Sequence, residues 1–352
     1  GAPVNGEDYG KLVDVTVRKR LELHPQAKII AGSTAAISPA FCDEFLSHCE
    51  PEKIDIISFH NYGTRPEERA YAMEEFKAVL DDVDALARKA FDFELLAHIH
   101  GDRDDGEIAK RLGTLIGAQT SLFSMELGVA RVLENMGIVP DAMVGHSFGE
   151  ISAMVVAGIW DLETGFKVVE ERIKAAELVL KSGGPPLGMM SVICSEEQRD
   201  AILEIFEGKV VLTNINAPGR FILGGERSSV ERMVKVAESF GADARLLPIG
   251  TAFHSHFMEP ARLPFRDALL KLPCSKPKYP IMSTVTGEYI DPEKVTTESL
   301  ADHLSNQFIT RLNLPREVER LYDDGARHFI EVGPGWSMTK MISGILDKRE
   351  FR

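Results

Sequence analysis

The sequence predicts an α/β fold in which a ferredoxin-like small subdomain is inserted into an α/β-hydrolase-like core. One observation is a serine between two glycines in residues 145–149, with an apolar run before it and a helix-compatible run after it. A strand that turns sharply into a helix at such a serine is typical of α/β-hydrolases. The other observation is a β-α-β-β-α-β alternation over residues 188–249, which is the ferredoxin-like order.

Residues 143–151 read Met-Val-Gly-His-Ser-Phe-Gly-Glu-Ile and form the predicted nucleophile elbow. The turn holds Ser147 at backbone angles that most residues avoid, so Gly145 and Gly149 are expected where side chains would collide. The backbone N–H of Phe148 and the positive end of the next helix point at any oxygen that becomes negative when the serine attacks a carbonyl. Ser147 is therefore the candidate nucleophile and Phe148 the candidate oxyanion donor.

The elements around the elbow are predicted from helical periodicity and from residues that typically begin or end a helix. The chain predicts a helix over 122–133, a stop at 137–140, a strand over 141–144 and helices over 150–157 and 162–181, the last capped by Asp161. The small subdomain is predicted from strands over 188–193, 209–214, 221–224 and 244–249, with helices over 196–206 and 229–240. A cleft between the two bodies is the expected substrate site.

Arg172 interrupts the apolar face of the helix over 162–181. Its guanidinium either reaches water beside Glu170 or Glu171, or meets an anion inside the protein. A planar fork with five donors matches a carboxylate, so an arginine near a nucleophilic serine would select an acyl group that carries a second acid.

Residues 251–256 read Thr-Ala-Phe-His-Ser-His and follow an apolar strand and Gly250. A serine hydroxyl needs a base at neutral pH, and an imidazole beyond a strand end can take and return its proton. On spacing alone, His254 and His256 are equal candidates.

These motifs together resemble the malonyl-CoA:acyl-carrier-protein transacylases, and more closely the acyltransferase domains of modular (type I) polyketide synthases, over about residues 95–346. The segment 145–150 matches the family's nucleophile motif, and Arg172 stands 25 residues after Ser147, at the family's carboxylate-binding position. Ala-Phe-His-Ser at 252–255 matches the catalytic-histidine motif, which favours His254 as the base.

The resemblance also assigns supporting residues. Gln307 matches a glutamine whose main chain orients the catalytic histidine, so that a Ser–His dyad needs no acidic third member. Phe253 precedes that histidine and, with Phe148, resembles the malonyl-selecting pattern, while Thr251 departs from it and leaves substituted malonyl units open. His146 is expected to line the pocket. Residues 329–335 match the family's closing motif.

The function implied by the resemblance is ping-pong transfer of a malonyl-type extender unit from acyl-CoA, through an acyl-serine, to the phosphopantetheine thiol of an acyl carrier protein in polyketide or fatty-acid biosynthesis. No bound cofactor or metal is expected. Neighbouring synthase domains are a further expected partner class. Two alternatives stay open: a serine hydrolase of acyl thioesters, and a non-catalytic interaction module.

Residues 1–92 do not match the family. They predict an atypical βαβ-like segment, with strands over 28–33 and 55–63 and a helix over 39–49, and then a charged helical connector from residue 65. No Gly-Gln-Gly-Ser-Gln segment supplies a second oxyanion donor, and loss of one donor costs about a hundredfold in rate. An appended fragment, joined reading frames or a divergent start would each explain this. The remaining predicted parts are an acyltransferase core over 93–186 and 251–352, and the ferredoxin-like subdomain over 187–250.

Composition limits the function classes. The chain has 352 residues, 44% of them hydrophobic and 27% charged, as expected of a globular protein. A formal charge of −14 argues against nucleic-acid binding, and no apolar run is long enough for a membrane span. Four cysteines without metal or redox spacing predict a reducing cytoplasm. Acidic CoA and carrier protein then require local basic residues, for which the candidates are Arg311, Arg316, Arg320, Arg327 and Lys340.

Overall fold

The computed structural model describes residues 30–31, 56–57, 66–100, 110 and 113–351. The chain divides into two compact units, Gly1–Phe76 and Lys77–Arg352. The three-part division that the sequence predicts, with bounds at residues 92, 186 and 250, stays a prediction.

The first unit contains a described pair of short parallel strands. Strand β1 (Ile30–Ala31) lies beside β2 (Ile56–Ile57), and both fall within the predicted apolar runs. The helix predicted over 39–49 lies outside the described residues. Helix α1 (Pro66–Phe91) follows, and the unit boundary falls within its sequence.

After the rest of α1, the second unit continues with the elements that carry the elbow. These are α2 (Leu95–His100), α3 (Leu115–Asn135), β3 (Met143–Val144), α4 (Gly149–Val156) and α5 (Leu162–Lys181). The predicted cap of α5 is confirmed, because Asp161 Oδ1 accepts a hydrogen bond of 2.8 Å from the Thr164 N–H. Gly165 allows α5 to approach α4 closely, since a Cβ there would lie 2.2 Å from Val155 Cγ2.

The inward faces of these helices form the main hydrophobic core. Phe123 from α3, Ile151 from α4 and Phe166 and Ile173 from α5 are almost completely buried in it. Each such side chain stabilises the fold by roughly 1.5–3 kcal/mol through burial alone. The core therefore fixes the helix that begins directly after the elbow.

The small subdomain follows as six consecutive elements. They are β4 (Leu187–Ile193), α6 (Glu196–Ile205), β5 (Val210–Ala217), β6 (Arg220–Glu226), α7 (Arg227–Ser239) and β7 (Asp243–Leu246). The strands lie in the order β7-β4-β6-β5 with antiparallel neighbours. This is the ferredoxin-like arrangement, so the predicted fold class is confirmed. Met190, Ile202 and Phe221 are among the buried residues of its separate core.

The chain then returns to the larger core. Its remaining elements are α8 (Glu259–Leu269), β8 (Ile281–Met282), α9 (Thr297–Gln307), β9 (Leu312–Asn313), α10 (Leu314–Asp323) and α11 (Ser337–Ile345). Strand β8 runs parallel to β3, with Ile281 opposite Met143. Strand β9 runs parallel to β5 and becomes the fifth strand of the subdomain's sheet.

The pairing of β3 with β8 positions the candidate site. Because β3 and β8 are parallel, the elbow after β3 and the residues after β8 lie at the same end of the two strands.

Within the described part of the chain, no helix has both the length and the apolar character needed to cross a membrane. The same residues contain no group of three or more His, Cys, Asp or Glu side chains arranged to hold a metal ion.

Candidate active site

The elbow holds Ser147 in the left-handed region of backbone space, at φ 56°. Few non-glycine residues adopt this conformation, and it is found where surrounding structure enforces it. A Cβ on Gly145 would lie 2.3 Å from Glu150 N, so this glycine is required, as predicted. The expectation for Gly149 is wrong, since a Cβ there would meet only Glu126 Oε1, at 3.7 Å. Gly149 faces the gap beside α3, where a methyl group fits.

Ser147 and His254 meet although 107 residues separate them in the chain: Ser147 Oγ lies 2.7 Å from His254 Nε2. His254 also has a left-handed backbone, at φ 64°. Its N–H donates to Phe308 O at 2.7 Å, which holds the turn in place. His256, the other candidate base, is exposed, and its ring lies 4.1 Å from that of Phe257.

The hydrogen bonds of His254 determine which ring nitrogen carries the proton. Its Nδ1 lies 2.8 Å from the main-chain oxygen of Gln307, and a carbonyl oxygen can only accept. Nδ1 therefore carries the hydrogen, which leaves Nε2 free to accept the hydroxyl hydrogen of Ser147. This is the tautomer that a general base requires.

Burial keeps both histidines of the site neutral. It lowers the pKa of His254 to about 3, and the positive charge of Arg172 acts in the same direction, while the Gln307 carbonyl opposes it. Burial also lowers the pKa of His146 to about 4. The Nδ1 of His146 and the Oδ1 of Asn216 are buried and have no hydrogen-bond partner among the described residues. At neutral pH His254 is thus an unprotonated base.

Arg172 lies inside the protein, 3% exposed, within a cluster of aromatic rings. Its guanidinium carbon lies 4.4 Å from the centroid of Phe253, 5.5 Å from that of Phe308 and 5.7 Å from that of Phe148. Burial lowers the pKa of Arg172 to about 10, so it stays positive at neutral pH. In the described part of the chain it has no ion pair and no hydrogen-bond acceptor. The predicted alternative, contact with Glu170 or Glu171 in water, is wrong, because Arg172 is buried and both glutamates pair with Lys167 and Lys174 instead.

The Phe148 N–H is the candidate oxyanion donor in the structure. Gly149 N donates to His146 O and Glu150 N to Ser147 O, at 3.1 and 3.2 Å. The Phe148 N–H donates to no described backbone carbonyl. It therefore stays available to an oxygen that develops charge beside Ser147.

Sequence reasoning missed Glu150 and Phe308. Glu150 is fully buried and accepts hydrogen bonds from Thr284, His303 and Gln307. Its position in the nucleophile motif is a signal, but these partners are 134 to 157 residues away in the chain. Phe308 follows Gln307 directly, and no pattern in the sequence distinguishes it from other apolar residues.

The candidate basic residues near the closing motif differ in their pairing. Arg316 lies 2.9 Å from Glu317, Arg320 lies 2.9 Å from Asp324, and Arg327 stacks over Tyr322 at 3.8 Å. Arg311 and Lys340 have no ion pair among the described residues. Their role in binding phosphate or carrier protein stays a prediction.

Comparison with known proteins now identifies the family. Residues 71–350 match the family described as "Acyl transferase domain". The chain belongs to this family. The match begins within α1, earlier than the resemblance read from the motifs, and it includes every candidate site residue.

Relatives of this acyl transferase domain include multidomain synthases and a transacylase. Polyketide synthase GfsB from Streptomyces halstedii is 30% identical over 67% of the chain, and PKS-NRPS hybrid synthetase acdB from Aspergillus candidus is 25% identical over 79%. The chain spans only 4% and 11% of their lengths. Malonyl CoA-acyl carrier protein transacylase from Staphylococcus aureus (strain MSSA476) is 26% identical, with 74% of this chain and 81% of that protein covered.

Solved structures show the same fold. The acyltransferase domain from the second module of the salinomycin polyketide synthase is 28% identical with a TM-score of 0.65, and 82% of this chain and 64% of that chain are covered. A malonyl-transacylase in complex with a type II acyl-carrier protein, PlMCAT:AntF, is 25% identical with a TM-score of 0.67, and 78% and 87% are covered.

Replacement of the two glycines of the elbow by alanine should have different effects on stability. Gly145→Ala should lower the free energy of unfolding by about 3 kcal/mol, because the new methyl group meets rigid backbone. Gly149→Ala should change it by less than about 1 kcal/mol. Urea unfolding of both variants measures the difference, and equal effects would contradict the assigned geometry.

The low pKa of His254 predicts a pH-dependent stability. The unfolded histidine titrates near 6.5 and the folded one near 3, so the unfolded state binds the extra proton between these values. Stability from this group is lost as pH falls below about 6.5, by up to about 1.4 kcal/mol per pH unit. The free energy of unfolding of His254→Gln, measured with urea at several pH values, should lack this part of its dependence on pH. The variant His256→Gln, at an exposed position, should keep it. If the free energy of unfolding of His254→Gln changes with pH as steeply as that of wild type, His254 is not a buried neutral histidine.

Proposed function

We propose that this acyl transferase domain moves a malonyl-type acyl group from CoA, through an ester on Ser147, to the phosphopantetheine thiol of an acyl carrier protein. Its proposed partners are therefore malonyl-CoA or a substituted malonyl-CoA, and a carrier protein. The observation that carries the proposal is Arg172, a buried cation without an anionic partner among the described residues. A buried charge is costly unless it is paired, and a malonyl carboxylate supplies the missing partner.

The first half of the proposed reaction forms the acyl-enzyme. His254 accepts the hydroxyl proton as Ser147 Oγ bonds to the thioester carbon, and the carbonyl oxygen takes the negative charge beside the Phe148 N–H. The C–S bond then breaks, and the departing CoA sulfur receives the proton from His254. Gln307 keeps the imidazole in the required tautomer throughout.

The second half transfers the acyl group. The phosphopantetheine thiol gives its proton to His254 and attacks the ester carbon, and the Ser147 oxygen leaves with that proton. The enzyme returns to its initial state, as ping-pong kinetics require. Arg172 holds the malonyl carboxylate through both halves, so acyl groups without a second acid leave its donors unpaired.

Phe148 and Phe253 support a preference for malonyl among the extender units. Both rings lie against the guanidinium of Arg172, which limits the space beside a bound carboxylate. Thr251 is buried and its hydroxyl has no hydrogen-bond partner among the described residues, so a larger acyl group with a polar atom stays an alternative. The cytoplasmic location expected from the sequence stays part of this proposal.

A serine hydrolase of acyl thioesters is the second candidate function. It shares the elbow and the histidine, but the Nδ1 of His254 bonds to a main-chain carbonyl and not to a carboxylate. The missing glutamine motif favours the third candidate, a non-catalytic interaction module. The three candidates differ in acylation and in the fate of the acyl group.

Acylation of Ser147 tests the proposal. Intact-protein mass after brief incubation with malonyl-CoA, methylmalonyl-CoA or acetyl-CoA should show a malonyl adduct that is absent in Ser147→Ala. Arg172→Ala should slow malonylation about 100-fold, because a charge-assisted bidentate contact is lost, and should move the preference toward acetyl. Arg199→Ala is the matched control, since Arg199 is also buried over a phenylalanine ring but pairs with Asp200.

Addition of holo acyl carrier protein completes this test. The proposal predicts that the malonyl group moves from the enzyme to the carrier faster than it is lost to water. Malonate release without carrier would indicate the hydrolase. The absence of an adduct from all three donors would indicate the interaction module.

A further inference from the structure

Glu150 is a buried carboxylate that the proposed reaction does not use. It lies three residues after Ser147, in the first turn of α4, and none of it is exposed. Its oxygens accept from Thr284 Oγ1 at 2.9 Å, Thr284 N at 3.4 Å and His303 Nε2 at 2.8 Å. The Gln307 side-chain amide also donates to it.

Four donors directed at one side chain require an acceptor without hydrogens of its own. An ionised carboxylate has about four acceptor positions, whereas an amide would turn two N–H groups toward some of these donors. His303 is the ionisable partner of this carboxylate. Burial lowers its pKa, but the charge of Glu150 and the hydrogen bond to it outweigh that effect and raise the pKa overall. The two side chains thus form a buried, hydrogen-bonded pair.

Gln307 connects this pair to both members of the Ser147–His254 couple. Its main-chain oxygen accepts from His254 Nδ1 at 2.8 Å. Its side-chain Nε2 donates to Ser147 O at 3.1 Å as well as to Glu150. A serine and a histidine from distant parts of the chain are therefore held by one glutamine, and the amide of that glutamine is held by Glu150.

We propose that Glu150, paired with His303, is a positioning residue that aligns Ser147 and His254 through Gln307. The inference rests on the proposed acyl transfer for its purpose, but the alignment can be tested without an acyl donor. Glu150 contacts neither reacting side chain, so it acts only by fixing Gln307. Misplacement of reacting groups by about 1 Å costs about 100-fold in rate.

The chain offers a matched control in Glu317. It is also a fully buried glutamate, and it pairs with Arg316 Nη2 at 2.9 Å. No hydrogen bond joins its side chain to Ser147, His254 or Gln307 among the described residues, although its charge interacts with that of Glu150. A loss of stability without loss of alignment is therefore expected from Glu317→Gln.

The test is the rate at which a fluorophosphonate labels Ser147. In this reaction the Oγ–P bond forms as the P–F bond breaks, and the hydroxyl proton passes to His254, so neither CoA nor carrier protein is needed. Glu150→Gln should label about 10- to 100-fold more slowly than wild type. Glu317→Gln should label at the wild-type rate.

Two further variants separate alignment from folding. Gln307→Met keeps the main-chain oxygen that holds His254 and removes only the amide link, so it should lose as much labelling rate as Glu150→Gln. The double variant should lose no more than either single variant, because both break the same link. Glu150→Asp keeps an ionised acceptor and should recover part of the rate. Wild-type labelling by Gln307→Met would overturn the inference even if Glu150→Gln fails to fold.

The pH profile of labelling gives a readout that a general loss of stability does not change. His254 faces Arg172 and His146, and burial keeps its pKa low. A misaligned His254 gains access to water, so the inflection in rate should move upward toward pH 6.5 in Glu150→Gln and stay unchanged in Glu317→Gln. An unchanged inflection in Glu150→Gln would also overturn the inference. Labelling of wild type without malonylation would reject the proposed function and leave this inference intact.

Discussion

The hydrogen bond between Ser147 and His254 is the interaction on which the rest of the site depends. It spans 2.7 Å and joins two residues that both occupy the left-handed region of backbone space. Neither residue is a glycine, so the surrounding structure must supply the energy that holds each turn. Because Gly145 has no Cβ, Glu150 N can lie close to it on one side, and Phe308 O accepts the His254 N–H on the other.

Charge is distributed unequally around this couple. Glu150 accepts hydrogen bonds from Thr284, His303 and Gln307, so its carboxylate is hydrogen-bonded within the protein. Arg172 is surrounded by aromatic rings, which lower the cost of its burial but offer no bidentate acceptor. The site therefore contains one carboxylate with hydrogen-bond donors inside the protein and one buried guanidinium without an anionic partner among the described residues. A neutral His254 between them is the state that accepts a proton.

The sequence predicted those features that depend on short spacing. The elbow, the Asp161 cap and the ferredoxin-like order follow from residues a few positions apart, and the motif around His254 separated it from His256. It did not predict the partners of Glu150, since periodicity carries no information on contacts between residues 134 or more positions apart. Gly149 was misjudged because a glycine pair in a motif does not tell which member faces backbone and which faces a gap.

Strand β9 has a mechanical consequence for the base. It pairs with β5 at the edge of the subdomain's sheet, with Leu312 opposite Asn214. Four residues separate Leu312 from Gln307, the residue whose carbonyl orients His254. A displacement of this sheet edge is therefore passed through a short segment of main chain to the carbonyl that orients the imidazole.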